Sequence, residues 1–216
     1  LSSYEIDRLL EDKTQPSHDA EIVAEATMDD LDNGLFNGVI QRQKSLHPRV
    51  FANLDDEEAA INLRIAARDG DGVLRPTLAG LLALGVYPQK YFPRLTVTFA
   101  AYPNHDKASE GGVKYLDSEK MVGPRPAIIA DTVAAVQRNT RLGGAMVGAT
   151  RVDVPDYPPA AVREAVCNAL MHRDYSELAR GTQVQVNLYD DRLEFLSPGG
   201  LYGAVTAATV ALAGYS

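Results

Sequence analysis

The sequence is poor in several residue types, and each shortage excludes a class of protein. Cys167 is the single cysteine among 216 residues, which excludes an internal disulfide and a zinc site built from cysteines. This usage is typical of a reducing cytoplasm, where we expect the protein to reside. No apolar run approaches the ~20 residues that a bilayer crossing needs, and no signal peptide is recognisable, so we expect no membrane association.

Positive charge and phosphate-binding loops are also scarce. The chain has 21 Lys and Arg against 29 Asp and Glu, a formal net charge of −8. This balance disfavours a surface that binds nucleic acid by itself, because phosphate contacts need clustered positive charge. No loop of the form G-x-x-x-x-G-K-[ST] is present, so we expect no helicase activity.

What remains is an ordinary globular composition, with 45% hydrophobic and 23% charged residues. The length suits one large domain or two small ones. The chain begins at Leu1 without methionine and ends directly after a helix-like run, so we expect it to be a piece of a longer protein.

Shifts in composition predict three parts. Residues 1–46 are helical and polar, and we interpret them as a connector or tail of a missing N-terminal domain. In this part Asp29 and Asp30 suit the start of a helix that ends near Gln43. The His47-Pro48 step predicts the boundary to the second part, because proline disfavours helix in the residue before it.

Residues 47–93 form a helical linker segment in this prediction. Asp55 or Asp56 caps a helix whose apolar positions recur at helical spacing as far as Ala66, and Pro76 opens a second short helix. Two helices and a following strand resemble a winged helix, but the second helix offers no basic residue to a DNA groove. We therefore interpret the segment as structural, and direct DNA binding through residues 55–93 stays a weaker alternative.

Residues 94–216 are predicted to form an α/β (α+β) domain. RLTVTFAAY and KYLDSEKMV read as strands, PAIIADTVAAVQRNTR as a helix, and GGAMVGATRVDVPDYPP as a connection punctuated by Gly and Pro. TQVQVNLYDDRLEFLSPGGL reads as a hairpin that runs into a glycine-rich loop.

A polar stripe marks the helix before this hairpin, REAVCNALMHRDYS. Glu164, Asn168 and His172 advance by about 40° at each step of four residues, so they share one side of the helix. Val162, Val166, Ala169 and Leu170 make an apolar face opposite them.

The stripe and the glycine-rich loop suit a polyphosphate with its metal, if the hairpin folds beside the helix. Asparagine offers Mg²⁺ a neutral oxygen, glutamate can orient and deprotonate water, and glycine backbone can approach an anion closely. The alternative is that the three side chains form an internal hydrogen-bond network with no ligand.

Three motifs resemble one family. They are PAAVREAVCNALMHRDY (residues 159–175), DDRLEFLSPGGL (residues 190–201) and RPTLAGLLALGVYPQKYFP (residues 75–93). Together they resemble the bacterial and archaeal RecG-like, helicase-related transcriptional regulators. This resemblance implies a Schlafen AlbA-type domain before Leu1, a winged helix after Ser216, and a Bergerat-type (GHKL-like) ATPase domain, here incomplete at its C-terminal end.

The resemblance also implies roles for individual residues. Glu164 would be the general base and Asn168 the Mg²⁺ ligand. The triplet His172, Arg173 and Asp174 would lie near the nucleotide or cap the helix end, and Gly199-Gly200 would form the first glycine box. Ser197 stands where Bergerat ATPases place an aspartate that accepts from the adenine amino group; a hydroxyl can accept too, but without charge.

The sequence therefore predicts an ATP-binding regulatory domain of a bacterial transcriptional regulator, with ATP and Mg²⁺ between the Glu164/Asn168 helix and the Gly199-Gly200 loop. Weak ATPase activity and a homodimer are compatible with this prediction, and DNA would be bound by domains outside the chain. The alternative is a non-catalytic interaction or dimerisation scaffold with a degenerate nucleotide pocket.

Overall fold

The computed structural model of the protein describes residues 17–107, 114–140, 142–147 and 150–199, which form six α-helices and eight β-strands. The helices are α1 (Asn33–Leu46), α2 (Pro48–Phe51), α3 (Asp56–Asn62), α4 (Leu78–Leu84), α5 (Arg125–Asn139) and α6 (Pro159–Met171). The strands are β1 (Ala66–Arg68), β2 (Leu74–Pro76), β3 (Val97–Ala101), β4 (Asp117–Met121), β5 (Leu142–Val147), β6 (Thr150–Pro155), β7 (Val184–Leu188) and β8 (Leu193–Leu196). The predicted α+β class is confirmed.

Helix α1 begins later than the sequence predicts. Its N-cap is Asp32, whose side chain accepts from the N–H of Leu35 at 2.8 Å. Asp30 instead belongs to a separate 3-10 turn, in which the N–H of Thr27 donates to its Oδ2 at 2.9 Å. The prediction that Asp29 and Asp30 begin the helix is wrong, because their capping capacity is used one turn earlier.

A β-hairpin separates the two helices of the linker segment, where the sequence predicts only a turn. Helix α3 ends at Asn62, so Ala66 lies in β1, which pairs antiparallel with β2. Asp69 organises the hairpin turn, since its Oδ1 accepts from the N–H groups of Asp71 and Val73 at 3.0 and 2.9 Å. Two helices joined directly by a turn, as in a winged helix, are therefore not formed here.

Thr77 and Gly80 fix the start of α4 against β1. Pro76 lies in β2, not at the first position of the helix, and Thr77 is the N-cap. The Thr77 hydroxyl donates to the carbonyl of Arg64 at 2.6 Å and accepts from the N–H of Gly80 at 3.0 Å. A Cβ on Gly80 would stand 1.9 Å from the Ile65 carbonyl oxygen, so a larger residue cannot fit without a shift of backbone.

Gln89 joins the linker segment to the sheet that follows. Its side chain is 3% exposed. Its amide nitrogen donates to the carbonyls of Leu95 and Gly123 at 3.0 and 3.1 Å, and its oxygen accepts from the N–H of Gly123 at 2.7 Å. A buried amide with these partners gives Gln89 of the 75–93 motif a structural role.

The main sheet has the strand order β4-β3-β7-β8. β3 is parallel to β7 and antiparallel to β4, and β7 and β8 form an antiparallel hairpin. The predicted strands and the predicted hairpin are confirmed. The predicted connection over GGAMVGATRVDVPDYPP is wrong, because β5 and β6 pair antiparallel as a separate two-stranded sheet.

Helices α5 and α6 pack on one face of the main sheet. Their buried residues meet alternate residues of β3 and β7, and the predicted apolar side of α6 is confirmed. The most deeply buried of these residues are Val97, Phe99, Ile128, Val136, Val166, Val184 and Val186. Full burial of such side chains contributes about 1.5–3 kcal/mol each, which fixes the buried side of α6 and leaves its polar stripe on the other.

The buried hydrophobic residues of the described ranges form two core clusters. The first extends from Val23 to Leu95 and the second from Val97 to Leu188. The division into parts 1–46, 47–93 and 94–216 stays a prediction. None of the helices in the described ranges has the length and apolar content needed to cross a bilayer.

Candidate functional site

The polar stripe of α6 lies on the surface. Glu164, Asn168 and His172 are all exposed. The Asn168 side chain donates through Nδ2 to Oε1 of Glu164 at 3.2 Å. His172 is the C-cap of the helix, and its N–H donates to the Asn168 carbonyl at 3.0 Å. The stripe is therefore not packed against apolar neighbours among the described residues.

The contact between Glu164 and Asn168 uses the nitrogen of the Asn168 amide and not its oxygen. An asparagine that donates through nitrogen keeps its side-chain oxygen as a neutral ligand. Among the described residues no three His, Cys, Asp or Glu side chains are grouped to hold a metal ion. A single protein oxygen suits Mg²⁺, which usually keeps water and takes its remaining ligands from phosphate. The donor set present therefore fits Mg²⁺ only together with a phosphate ligand.

The turn Ser197–Gly199 docks against the carboxyl end of the same helix. The Ser197 hydroxyl donates to the Ala169 carbonyl at 2.7 Å. The N–H of Asp174 donates to the Pro198 carbonyl at 2.8 Å. Glu164 lies about 7 Å from Ala169 along the helix axis. The hairpin thus brings the turn to the helix that carries the stripe; Gly200 lies outside the described residues.

Gly199 is required at its position for two reasons. Its φ of +130° is a conformation that residues with a side chain rarely adopt. A Cβ there would also stand 3.0 Å from the nitrogen of Asp174 and 3.4 Å from the carbonyl oxygen of His172. The backbone of the turn can therefore approach the helix end this closely only as glycine.

Arg173 and Asp174 point their polar groups toward the chain itself. Arg173 is 5% exposed and donates to the carbonyls of Ala179 and Thr182 at 3.0 and 2.8 Å. Burial lowers the pKa of its guanidinium. Oδ1 of Asp174 accepts from the N–H of Ser176 at 2.8 Å. Nε of Arg173 also donates to the Asp174 backbone oxygen at 3.3 Å. A contact of either residue with nucleotide stays a prediction.

Two residues near the site are not predicted from the sequence. The guanidinium groups of Arg125 and Arg173 lie over the ring of Tyr175, 4.9 and 5.1 Å from its centroid, and burial raises the pKa of Tyr175. Arg180 donates to the Tyr175 carbonyl at 2.9 Å and forms an ion pair with Glu21. Tyr175 is the last residue of the 159–175 motif, so the sequence marks it as a candidate. No residue near Arg180 in the sequence indicates a partner as distant as Glu21.

Comparisons with known proteins match the two ends of the chain separately. A family described as "Domain of unknown function (DUF8451)" matches residues 7–98. A family described as "Putative ATP-dependent DNA helicase recG C-terminal" matches residues 181–215, which include β7, β8 and the Ser197–Gly199 turn. Helix α6 lies in neither range. No curated protein matches.

A solved structure gives a likeness of fold. The DIP2311 protein from Corynebacterium diphtheriae is 23% identical with a TM-score of 0.51, over 97% of this chain and 38% of that one. The chain thus spans less than half the length of that relative. At this identity the likeness concerns the fold alone, whereas the match over residues 181–215 indicates an ATPase-like C-terminal region.

Proposed function

We propose that the chain is an ATP-binding regulatory domain of a bacterial transcriptional regulator, with ATP and Mg²⁺ held between α6 and the Gly199-Gly200 loop. One observation carries this proposal: the Ser197–Gly199 turn is docked on the carboxyl end of the helix that bears Glu164 and Asn168. The ATPase-like match over residues 181–215 supports the same site from the sequence side.

Each exposed residue has a role that its chemistry permits. Asn168 provides a neutral oxygen to Mg²⁺, held in place by the hydrogen bond that its nitrogen donates to Glu164. Ser197 uses its proton on the Ala169 carbonyl, so its lone pairs remain to accept from the amino group of a base. His172 lies at the helix end, where it can contact phosphate.

Hydrolysis is the second step of the proposal. Glu164 is an exposed carboxylate beside the metal ligand, a position from which it can orient and deprotonate water. Bound Mg²⁺ would supply charge neutralisation for the phosphates. The proposed ATPase activity is weak and does not extend to unwinding, since the sequence has no helicase phosphate loop.

The wider assignment is compatible with the charge. A net charge of −8 disfavours DNA contact by this chain, so the proposal assigns DNA contact to other domains. A homodimer and a cytoplasmic location belong to the same proposal, the latter because the chain has a single cysteine.

Calorimetric titration with ATP in the presence of Mg²⁺ tests the proposal. We expect the wild type to bind, and Asn168→Ala to weaken the affinity at least tenfold, about 1.4 kcal/mol. Asn37→Ala is the matched control, because Asn37 is an exposed asparagine within α1, outside the site. Removal of Mg²⁺ with a chelator should weaken wild-type binding to the level of Asn168→Ala.

The outcomes separate the parts of the proposal. Absence of binding by the wild type would refute the nucleotide site. Binding that depends neither on Mg²⁺ nor on Asn168 would refute the metal role while leaving the pocket. Loss of binding in Asn37→Ala would show that the titration reports general destabilisation and not the site.

A second candidate function is a non-catalytic interaction or dimerisation scaffold. It is favoured by the engagement of Arg173 and Ser197 with internal carbonyls, which leaves fewer polar groups for a ligand. A scaffold of this kind would show no heat with nucleotide and a dimer in analytical ultracentrifugation. A monomer that binds ATP would exclude it.

A further inference from the structure

Residues 172–182, which follow α6 and which we term the coupling segment, contact the glycine-containing turn at one end. The N–H of Asp174 donates to the Pro198 carbonyl at 2.8 Å. A Cβ on Gly199 would stand 3.0 Å from the Asp174 nitrogen, so the two backbones are in close contact. A ligand that shifts the turn must therefore also shift Asp174.

Arg173 fixes the shape of the coupling segment from inside. Its buried guanidinium donates to the carbonyls of Ala179 and Thr182 at 3.0 and 2.8 Å. The Asp174 carboxylate accepts from the N–H of Ser176 at 2.8 Å. Breaking these bonds would leave a buried cation without partners, which is strongly unfavourable. The coupling segment therefore moves as one unit.

The other end of the coupling segment contacts the N-terminal part of the chain. Tyr175 packs against the first core cluster, and Arg180 donates to its carbonyl at 2.9 Å. Arg180 also forms an ion pair with Glu21 and lies over the ring of Phe92, 5.5 Å from its centroid. Glu21 is tied in turn to the start of α4, because its carbonyl accepts from the N–H of Leu78 at 2.8 Å.

We infer that the coupling segment transmits occupancy of the proposed nucleotide site to the docking of residues 17–31 on the rest of the protein. This inference rests on the proposed function, since it needs a ligand at the turn. The contacts run from Pro198 to Asp174, along the backbone to Tyr175, and from the Tyr175 carbonyl through Arg180 to Glu21. Coupling between two sites is reciprocal, so nucleotide binding stabilises the docked N-terminal segment to the same extent that docking strengthens nucleotide binding.

Hydrogen exchange measures this coupling directly. The amides of Val23 and Ala26 donate to the carbonyls of Pro76 and Val23, each at 3.0 Å, and they exchange only when the segment opens. With the non-hydrolysable analogue AMPPNP and Mg²⁺ at saturation, we expect exchange of these amides in the wild type to slow at least fivefold. Arg180→Gln should still bind the analogue but lose this protection.

Matched variants keep the test specific. Arg138→Gln removes a comparable arginine–glutamate ion pair, with Glu119, from a surface that the coupling segment does not contact, and should retain the fivefold effect. Glu21→Gln removes the Arg180 ion pair from the opposite side, so it carries the test if Arg180→Gln fails to fold. Both partners of the pair should give the same loss.

The outcomes distinguish this inference from the proposed function. A wild type that does not bind AMPPNP refutes the function and the inference together. A wild type that binds without slower exchange at Val23 and Ala26 overturns the inference alone. Arg180→Gln and Glu21→Gln proteins that bind and still show the fivefold protection also overturn it.

Discussion

The strictest steric requirement in the candidate site lies at Gly199, and Gly199→Ala tests it. Forcing alanine to φ +130° costs about 1–3 kcal/mol. The added Cβ would stand 3.0 Å from the nitrogen of Asp174, so the turn must also move by a few tenths of an ångström. That movement lengthens the 2.8 Å hydrogen bond from Asp174 to Pro198. We expect a loss of about 2 kcal/mol in the free energy of unfolding.

Gly181→Ala is the matched control, because it lies in the same region and is exposed. A Cβ on Gly181 would meet nothing within 4 Å, and its φ is not in the left-handed region. We expect its stability to stay within about 0.5 kcal/mol of wild type, or to rise slightly through the unfolded chain.

Urea unfolding followed by circular dichroism measures both variants, with the midpoint read at a constant m-value. If ATP binds as proposed, Gly199→Ala should also weaken the affinity at least tenfold while Gly181→Ala leaves it unchanged. Equal stabilities for the two variants would show that the close contact between Gly199 and Asp174 does not constrain the turn, and the geometric basis of the site would be lost.

Two further predictions concern the N-terminal part. Gly80→Ala should destabilise the protein by about 3 kcal/mol or more in urea unfolding, because its Cβ would stand 1.9 Å from the Ile65 carbonyl oxygen. Gly38→Ala is the control: it lies within α1, its Cβ would meet nothing within 4 Å, and it should stabilise the protein by up to about 1 kcal/mol. A Gly80→Ala protein more stable than Gly38→Ala would refute the packing. The N–H of Thr27, followed by Tyr91 and Lys90, lowers the pKa of Asp30 to about 2, from 3.8, so its contribution to stability is complete above pH 3.8 and is lost as the pH falls toward 2. The free energies of unfolding of wild type and Asp30→Asn, measured by urea titration, should therefore differ by about 1 kcal/mol at pH 5 and converge as the pH falls toward 2. A difference that stays constant with pH would refute the assignment.

The main sheet and its helices can be predicted from the sequence because the spacing of their apolar residues matches the residues that are buried. Val184, Val186 and Leu188 alternate, and all three are buried against α5 and α6. The apolar side of α6 is also predicted, since its positions repeat with the helical period. In both elements the residues that make the pattern are the residues that form the core.

The linker segment is predicted less well because a residue of strand β1 also fits the helical spacing of the preceding helix α3. Ala59 and Ala60 lie in α3, and Ala66 continues the same helical spacing although it belongs to β1. A strand of three residues is too short to show alternation, so periodicity favours the helix. The hairpin forms because Asp69 closes its turn and because α4 packs against Ile65, directly before β1. The second of these contacts is tertiary.

The sequence shows the elements of the candidate site but not the contacts that connect them. The stripe and the glycine turn are visible as motifs, and the hairpin brings the turn to the carboxyl end of the helix that bears the stripe. Arg180 and Glu21 lie 159 positions apart, and no local pattern relates residues at that separation. The burial of Arg173 is equally hidden, because a basic residue after a helix usually remains in solvent.

The hydrogen bonds that polar side chains make distinguish structural residues from candidate binding residues within these motifs. Thr77, Gln89 and Arg173 are buried and make their hydrogen bonds to backbone, so replacing any of them leaves buried groups without partners. The side chains of Glu164 and Asn168 are exposed and, among the described residues, hydrogen-bond only to each other. An exposed pair of this kind contributes little to stability. If the proposed ligand binds there, loss of function without loss of stability is the behaviour expected of these two residues and not of the other three.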